Sequence, residues 1–236
     1  MGNIFTFREI TGKDELEKFF RLRYDIYSNC RLRAVLKAKK NPIDIDYFDV
    51  HSKHYALTVG NKDAGYFRVV MPKDELIQGS VIEIAKKNKA FNDYDSYLSG
   101  EAAPYPFLSY KEVPAGYWDY FKNLQHKNKK LAEASRLILQ PEFRTIRTSR
   151  FLIECAIVLY LIICFGKMQA VLSCNIKHKS FYEYYGFKAI GAENGFSSYG
   201  YDSVAMSLSV LPDQHHLKLE EMKNEFNSTG KIAMEI

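Results

Sequence analysis

The chain is poor in several features that would place it in a common class. Its four cysteines, Cys30, Cys155, Cys164 and Cys174, show no metal-ligand spacing, so no metal site is expected and they read as reduced, structural thiols. Cys155 and Cys164 share one apolar run, where small buried thiols are common. That run, 156–165, is bounded by Glu154 and Gly166-Lys167 and falls well short of the roughly 20 apolar residues a membrane-spanning helix needs. It reads instead as a helix buried on most sides, and no transmembrane segment is expected. Met1 to Arg8 holds no basic segment followed by an apolar run, so no signal peptide is expected and the location reads as cytoplasmic. Charge of one sign is also scarce. A formal +5 with no dense Lys/Arg block excludes a nucleic-acid partner, while it suits a small or acidic anionic one. Tryptophan occurs once, at Trp118.

What is present is core-forming material. Hydrophobic residues make up 47% of the 236, enough for one large domain or two small ones. Thr11-Gly12-Lys13-Asp14 has capping-box spacing and opens a helix carrying Leu16, Phe19, Phe20, Ile26 and Tyr27 at helical intervals. Arg23 lies on that apolar face, and a charge there must find a partner. Two strand-like runs, 54–59 and 65–71, flank the turn-rich Gly60–Ala64 and predict a β-hairpin in which Arg68 shares a face with Tyr66 and Val70. Residues 72–130 are punctuated by proline and glycine and read as an insertion or lid, with helical pieces near 80–90 and 116–130. Beyond it the pattern predicts a strand at 135–140, a loop with Arg144, Arg147 and Arg150, the buried helix at about 150–165 and a strand at 169–174. A short helix at 178–185 and strands at 187–192 and 203–210 follow. The segment from Pro212 reads as an exposed helical tail that frays. These elements predict a single α/β domain over 1–211 with a tail over 212–236. Its mixed, mostly antiparallel central sheet of six or seven strands is flanked by helices.

The candidate chemistry lies in an ordered set of charged residues. Glu133-Ala134-Ser135-Arg136 runs into the apolar Leu137-Ile138-Leu139; upstream are Arg23, Asp46-Tyr47-Phe48-Asp49 and Arg68; downstream is Phe181-Tyr182-Glu183-Tyr184-Tyr185-Gly186-Phe187. In this order they resemble the acyl-homoserine-lactone synthases and the long-chain N-acyl amino acid synthases, a branch of the GNAT N-acyltransferase superfamily.

The resemblance implies a GNAT-like fold and transfer of an acyl group from a thioester to an amine. Under it Glu133 is the base and Tyr182 the acid for the departing thiolate. Arg23, Asp46, Asp49, Arg68 and Arg136 form the acceptor-binding cluster. Backbone N–H groups about Leu137 and Leu139 polarise the carbonyl. Arg144, Arg147, Thr148 and Ser149 before the apolar helix hold the phosphopantetheine phosphate. No cofactor is bound permanently. The co-substrate is an acyl-phosphopantetheine, on acyl carrier protein or CoA, and the acceptor an amino acid or similar small amine. A peripheral membrane contact stays open.

Each residue also has a plainer reading. Glu133 can be a surface carboxylate at a strand edge, Tyr182 a packing ring, the arginine loop a solvated surface, and the charged cluster a set of independent ion pairs. The glycine signature Arg/Gln-x-x-Gly-x-Gly/Ala of acetyl-CoA-dependent GNAT enzymes is missing, which favours a carrier-protein donor. No tryptophan follows the first helix in 28–35, where homoserine-lactone synthases keep one, which favours an amino acid acceptor. A homoserine-lactone synthase and an inactive GNAT-like module that binds acyl groups or carrier protein remain as alternatives.

Overall fold

The computed structural model describes residues 4–30, 36, 41–72, 74–90, 120, 122–124, 126–127, 129–164, 168–190, 196–198, 201–208 and 210–235. Most of the expected insertion, including Trp118, lies outside the described residues.

Strand β1 (Ile4–Glu9) leads into helix α1 (Lys13–Ser28), and a 3₁₀ turn at Tyr47–His51 feeds the hairpin β2 (Ser52–Val59) and β3 (Lys62–Val70). Helix α2 (Gly79–Lys87) follows, and residues 120, 122–124 and 126 are helical before strand β4 (Lys130–Leu139). Helix α3 (Ile146–Ile163) connects β4 to β5 (Met168–Asn175). Then come α4 (Lys179–Glu183), β6 (Phe187–Ala189), β7 (Phe196–Ser198), β8 (Tyr201–Leu208), α5 (Asp213–Thr229) and β9 (Lys231–Glu235).

The described strands form one sheet of nine, in the order β6-β8-β5-β4-β3-β2-β1-β9, with β7 on β8. Every pairing is antiparallel except β4 with β5, where α3 supplies the crossover that a parallel pair requires. The sheet is thus mixed and mostly antiparallel as expected, with two or three more strands than expected.

Alternation along the strands sorts side chains to two faces. On one, Tyr55, Leu57, Phe67, Val69 and Ala132 pack against α3, which is buried from Phe151 through Tyr160 because the sheet covers one side and Leu219 and Met222 of α5 the other. This is why a helix apolar all round occurs here. On the opposite face Leu16, Phe19 and Phe20 of α1 and Val81 and Ile84 of α2 cover Ala56, Tyr66 and Ile138.

Two local expectations need correction. The capping box at Thr11 does not form: α1 begins one residue later, with Gly12 at the cap and no side-chain hydrogen bond. A capping box forms instead at Asp46, whose carboxylate accepts from the amides of Phe48 and Asp49 while the Asp49 carboxylate accepts from the Asp46 amide. The expected fraying tail at 212–236 is also part of the fold. Gly230 at φ +71° ends α5 in the left-handed region, and the chain turns back to add β9 antiparallel to β1, with Ile232 buried. Five residues were too few for their alternation to register as a strand. The outer edge of β9 is occupied by side chains. Thr229 Oγ1 donates to the Lys231 carbonyl, Glu225 accepts from the Ala233 amide and Arg147 donates to the Glu235 carbonyl.

Candidate active site

The site is built on the α1 face of β3 and β4. The two strands run in simple register from Val70↔Glu133 to Arg68↔Ser135, then shift before Tyr66↔Ile138. The extra residue is accommodated at Arg136, whose φ of +55° is unusual for a residue with a side chain. The bulge gives both Ser135 and Arg136 partners on the α1 face, breaking the alternation a regular strand would impose. It also draws β3 and β4 close together: a Cβ at Gly65 would stand 2.6 Å from the Ile138 carbonyl oxygen. On its other side β4 pairs with β5 only as far as Ala134↔Leu172. Among the described residues, 135–139 have a sheet neighbour only in β3, so one backbone edge of this segment is not used by β5. Leu137 and Leu139 turn their side chains into the α3 core.

Around the bulge three arginines and three aspartates interlock. Arg23 is fully buried. It donates to Asp44 from Nε at 3.0 Å and from Nη2 at 2.8 Å, and to Asp49 Oδ1 from Nη1 at 2.7 Å. Arg68, also fully buried, donates from Nη1 to Asp49 Oδ1 at 2.6 Å and to Asp46 Oδ1 at 2.7 Å, and from Nε to the Ser135 hydroxyl at 2.9 Å. Arg136 donates from Nη2 to Asp46 Oδ2 at 3.1 Å, has Nε 3.4 Å from Asp44 and lies over the ring of Tyr27. Burial alone would raise Asp49, but Arg23 and Arg68 reverse this and hold its carboxyl well below the ordinary range.

His54, opposite Arg68 in register, faces the Asp49 carbonyl with Nε2 at 2.9 Å and the Tyr66 hydroxyl with Nδ1 at 2.6 Å. A carbonyl only accepts, so Nε2 carries the hydrogen and Tyr66 donates to Nδ1. That hydroxyl in turn accepts from Arg23. Burial pushes His54 down to about 4, partly opposed by Asp49, which keeps the ring neutral.

Glu133 stands beside this compensated set without a cation of its own. It is 6% exposed in mid-strand rather than at a strand mouth, and its Oε2 has no hydrogen-bond partner among the described residues. Burial pushes its carboxyl up to about 8, against the pull of Arg68 and with a further push from Asp46. Asp46, with a side chain 20% exposed, is the member of the aspartate set nearest solvent.

The structure brings Arg23, Asp46, Asp49, Arg68, Glu133 and Arg136 together, from an N-terminal helix, a turn and two strands. Tyr182 lies on the far side of β5. It is half-buried on α4, its ring edge-on to Phe181 and Phe187, and burial pushes its hydroxyl well up. Tyr160 of α3 lies within electrostatic reach of both Glu133 and Tyr182.

The expected arginine loop is shorter in the structure: α3 starts at Ile146, so Arg147, Thr148, Ser149 and Arg150 stand in its first turns and Arg144 alone precedes it. The segment has structural contacts beside any ligand role. Arg144 Nε donates to the Leu139 carbonyl and Arg147 to the Glu235 carbonyl. Thr148 is buried against Thr145, the N-cap of α3, and the Ser149 amide donates to the Thr145 carbonyl. Asp44, Tyr66, His54 and Ser135 were not singled out in sequence as site residues. Asp44 carried a signal, because Asp44-Ile45-Asp46 has the period-2 spacing of an extended segment, and Tyr66 shares the strand face of Arg68.

A mostly antiparallel sheet, one parallel pair that separates at a bulged strand and a crossover helix starting beside the gap define a GNAT-like N-acyltransferase fold. Solved structures agree. FeeM, an N-acyl amino acid synthase from uncultured soil microbes, matches with TM-score 0.51 and 14% identity over 87% of this chain and 89% of its own. The CoA-dependent acyl-homoserine lactone synthase MesI matches with TM-score 0.54 and 19% identity over 92% and 95%. An acyl-CoA N-acyltransferase from Pseudomonas aeruginosa gives TM-score 0.50 and 12% identity over 87% and 98%. Residues 110–209 match the family described as N-acyl amino acid synthase FeeM. No curated protein matches the sequence. The chain has the fold of these N-acyltransferases, and its residues 110–209 are similar to the N-acyl amino acid synthase family.

Proposed function

We propose that the chain transfers a long-chain acyl group from an acyl-phosphopantetheine thioester to the amine of an amino acid or similar small molecule, with Glu133 as the base. The observation that carries this reading is Glu133 itself: a buried carboxyl with an unpartnered oxygen among the described residues, raised to about 8, on a bulged strand whose 135–139 segment β5 does not pair. An amine is mostly protonated near neutrality, at about 8 even for a peptide terminus, and must lose a proton to attack. Glu133 takes that proton as the nitrogen bonds to the thioester carbon. Backbone N–H groups along 135–139 stabilise the oxyanion. As the C–S bond breaks, Tyr182 protonates the thiolate, and the second proton that the nitrogen sheds as the amide forms passes through solvent to restore Tyr182. Ammonium and thioester thus become amide, thiol and the proton held by Glu133.

Within this reading the three arginines are committed to the three aspartates. They shape the acceptor pocket and leave Asp46, the least buried, to meet the acceptor's ammonium. Carrier protein is preferred to CoA because the glycine signature is missing and the 144–150 segment is basic. The FeeM-family match over 110–209 and the lack of tryptophan in 28–35 favour an amino acid acceptor.

Purified protein, long-chain acyl-carrier protein or acyl-CoA, and a panel of amino acids with S-adenosylmethionine included should give an N-acyl amino acid by mass spectrometry. A homoserine lactone product would move the assignment to that class. Tight donor binding without any product would support the binding-module alternative.

A further inference from the structure

On the opposite side of the sheet from the arginine network lies a second buried ionisable cluster with no part in the mechanism above. Glu154, 3% exposed in the middle of α3, accepts from the Tyr185 hydroxyl at 3.1 Å through Oε1 and from Lys218 of α5 through Oε2. His215 of α5 is packed between the rings of Tyr184 and Tyr185, at 4.7 and 4.9 Å, and its Nε2–H donates to the Tyr184 carbonyl at 3.0 Å. Arg150 lies over the Tyr184 ring. Gly186, at φ +88°, brings the chain so close to the segment before α5 that a Cβ there would meet the Val210 carbonyl oxygen at 2.0 Å.

Apart from the Glu154–Lys218 pair, which ties α3 to α5, each of these contacts grips residues 184–186, just after Tyr182. A buried carboxylate on a largely apolar helix is costly unless paired, and here its hydrogen-bond partners among the described residues are Tyr185, just past α4, and Lys218 of α5. The grip is therefore specific to this arrangement of the two helices.

We propose that Glu154, Lys218 and His215 are positioning residues. The C-terminal helix, through them, fixes α4 so that the Tyr182 hydroxyl meets the departing thiolate. This rests on the acid role given to Tyr182 above. A misplacement of about 1 Å at a reacting group can cost up to about 10²-fold in rate.

Leaving-group dependence distinguishes an acid-positioning role from a general loss of structure. Turnover is measured with an acyl-pantetheine, whose alkyl thiol needs a proton to leave, and with the matching acyl thiophenyl ester, whose thiolate does not. Tyr182→Phe, Glu154→Gln and Lys218→Met should each slow the alkyl thioester, the last two on the order of 10-fold to 10²-fold, and leave the aryl thioester near the wild-type rate. Lys218 is half exposed, so its variant tests the idea even if Glu154→Gln folds poorly. In parallel, 3-fluorotyrosine at position 182 gives a ¹⁹F signal that needs no turnover, and both variants should shift or broaden it. Wild-type rates and an unchanged ¹⁹F signal in Glu154→Gln and Lys218→Met, alongside a leaving-group-dependent loss in Tyr182→Phe, would overturn the positioning role alone. A Tyr182→Phe enzyme equally active on both donors would remove the acid role, and the proposal with it.

Discussion

The two faces of strand β4 handle charge in opposite ways. On the α3 face, Ala132, Leu137 and Leu139 join a core in which Glu154 is the charged group, held by Tyr185, just past α4, and by Lys218 of α5. On the α1 face, three arginines and three aspartates are buried together and cancel, and only then does an unmatched carboxyl, Glu133, appear beside them. The difference teaches how a buried acid is kept basic. Had Glu133 owned one of the arginines, its carboxyl would have been pulled down as Asp49 is. Because the arginines are already committed, burial dominates and the carboxyl is raised. Rigidity and reactivity thus come from adjacent residues with opposite compensation.

The sharpest way to break this comparison is Glu133→Gln, which keeps the shape and removes the basicity. Turnover should fall by about 10²–10⁴-fold while donor binding persists; wild-type rates in a steady-state assay across pH 6 to 9 would exclude Glu133 as the base. Next in size, Arg68→Ala or Asp49→Ala should lower the unfolding free energy in a urea titration by about 3–5 kcal/mol, because each strands a buried opposite charge. Arg68→Lys should be only partly restorative, since a lysine cannot span Asp46, Asp49 and Ser135 at once.

The pH dependence sharpens the contrast. Glu133 has a folded value of about 8, above its unfolded value. Its contribution to stability is therefore fully present below the ordinary carboxylate range and is lost as pH rises towards 8. Activity should move the other way, rising through the same interval as the base ionises, and Glu133→Gln should flatten both profiles. His54 is depressed to about 4, so its contribution is present above the ordinary histidine range. It should be lost as pH falls from about 6.5 towards 4, and His54→Gln should reduce that acid slope in thermal unfolding. The smallest effect is expected at the sheet edge. Removing Glu225 and Arg147 together frees the outer groups of β9, and sedimentation should show increased self-association with little change in unfolding.

Much of this site was legible in the sequence because charge on an apolar pattern is informative. Arg23 among Phe19, Phe20 and Tyr27 announced a buried partner, and Arg68 beside Tyr66 fixed the face it uses. Burial of the apolar helix, complete from Phe151 to Tyr160, was readable from composition. Other parts gave little signal. Asp44 is an aspartate in a loop until α1 folds over it. The strand at 231–235 looks like the frayed end of a helix until β1 offers an edge. Arg147 reads as a phosphate ligand until its contact with Glu235 is seen.

The sequence by itself determined the periodicities, hence the helices, the hairpin and which face each charged residue takes, because those depend on neighbours a few positions away. It also set the order of charged motifs that carries the family resemblance. Only the tertiary structure decided the Arg136 bulge, the parting of β4 from β5 after Ala134 and the pairing of each arginine with its aspartates. The raised carboxyl of Glu133 is the clearest case. Its value depends on which cations are already taken, and that is settled by contacts between segments some 20 to 90 residues apart, which no local pattern encodes.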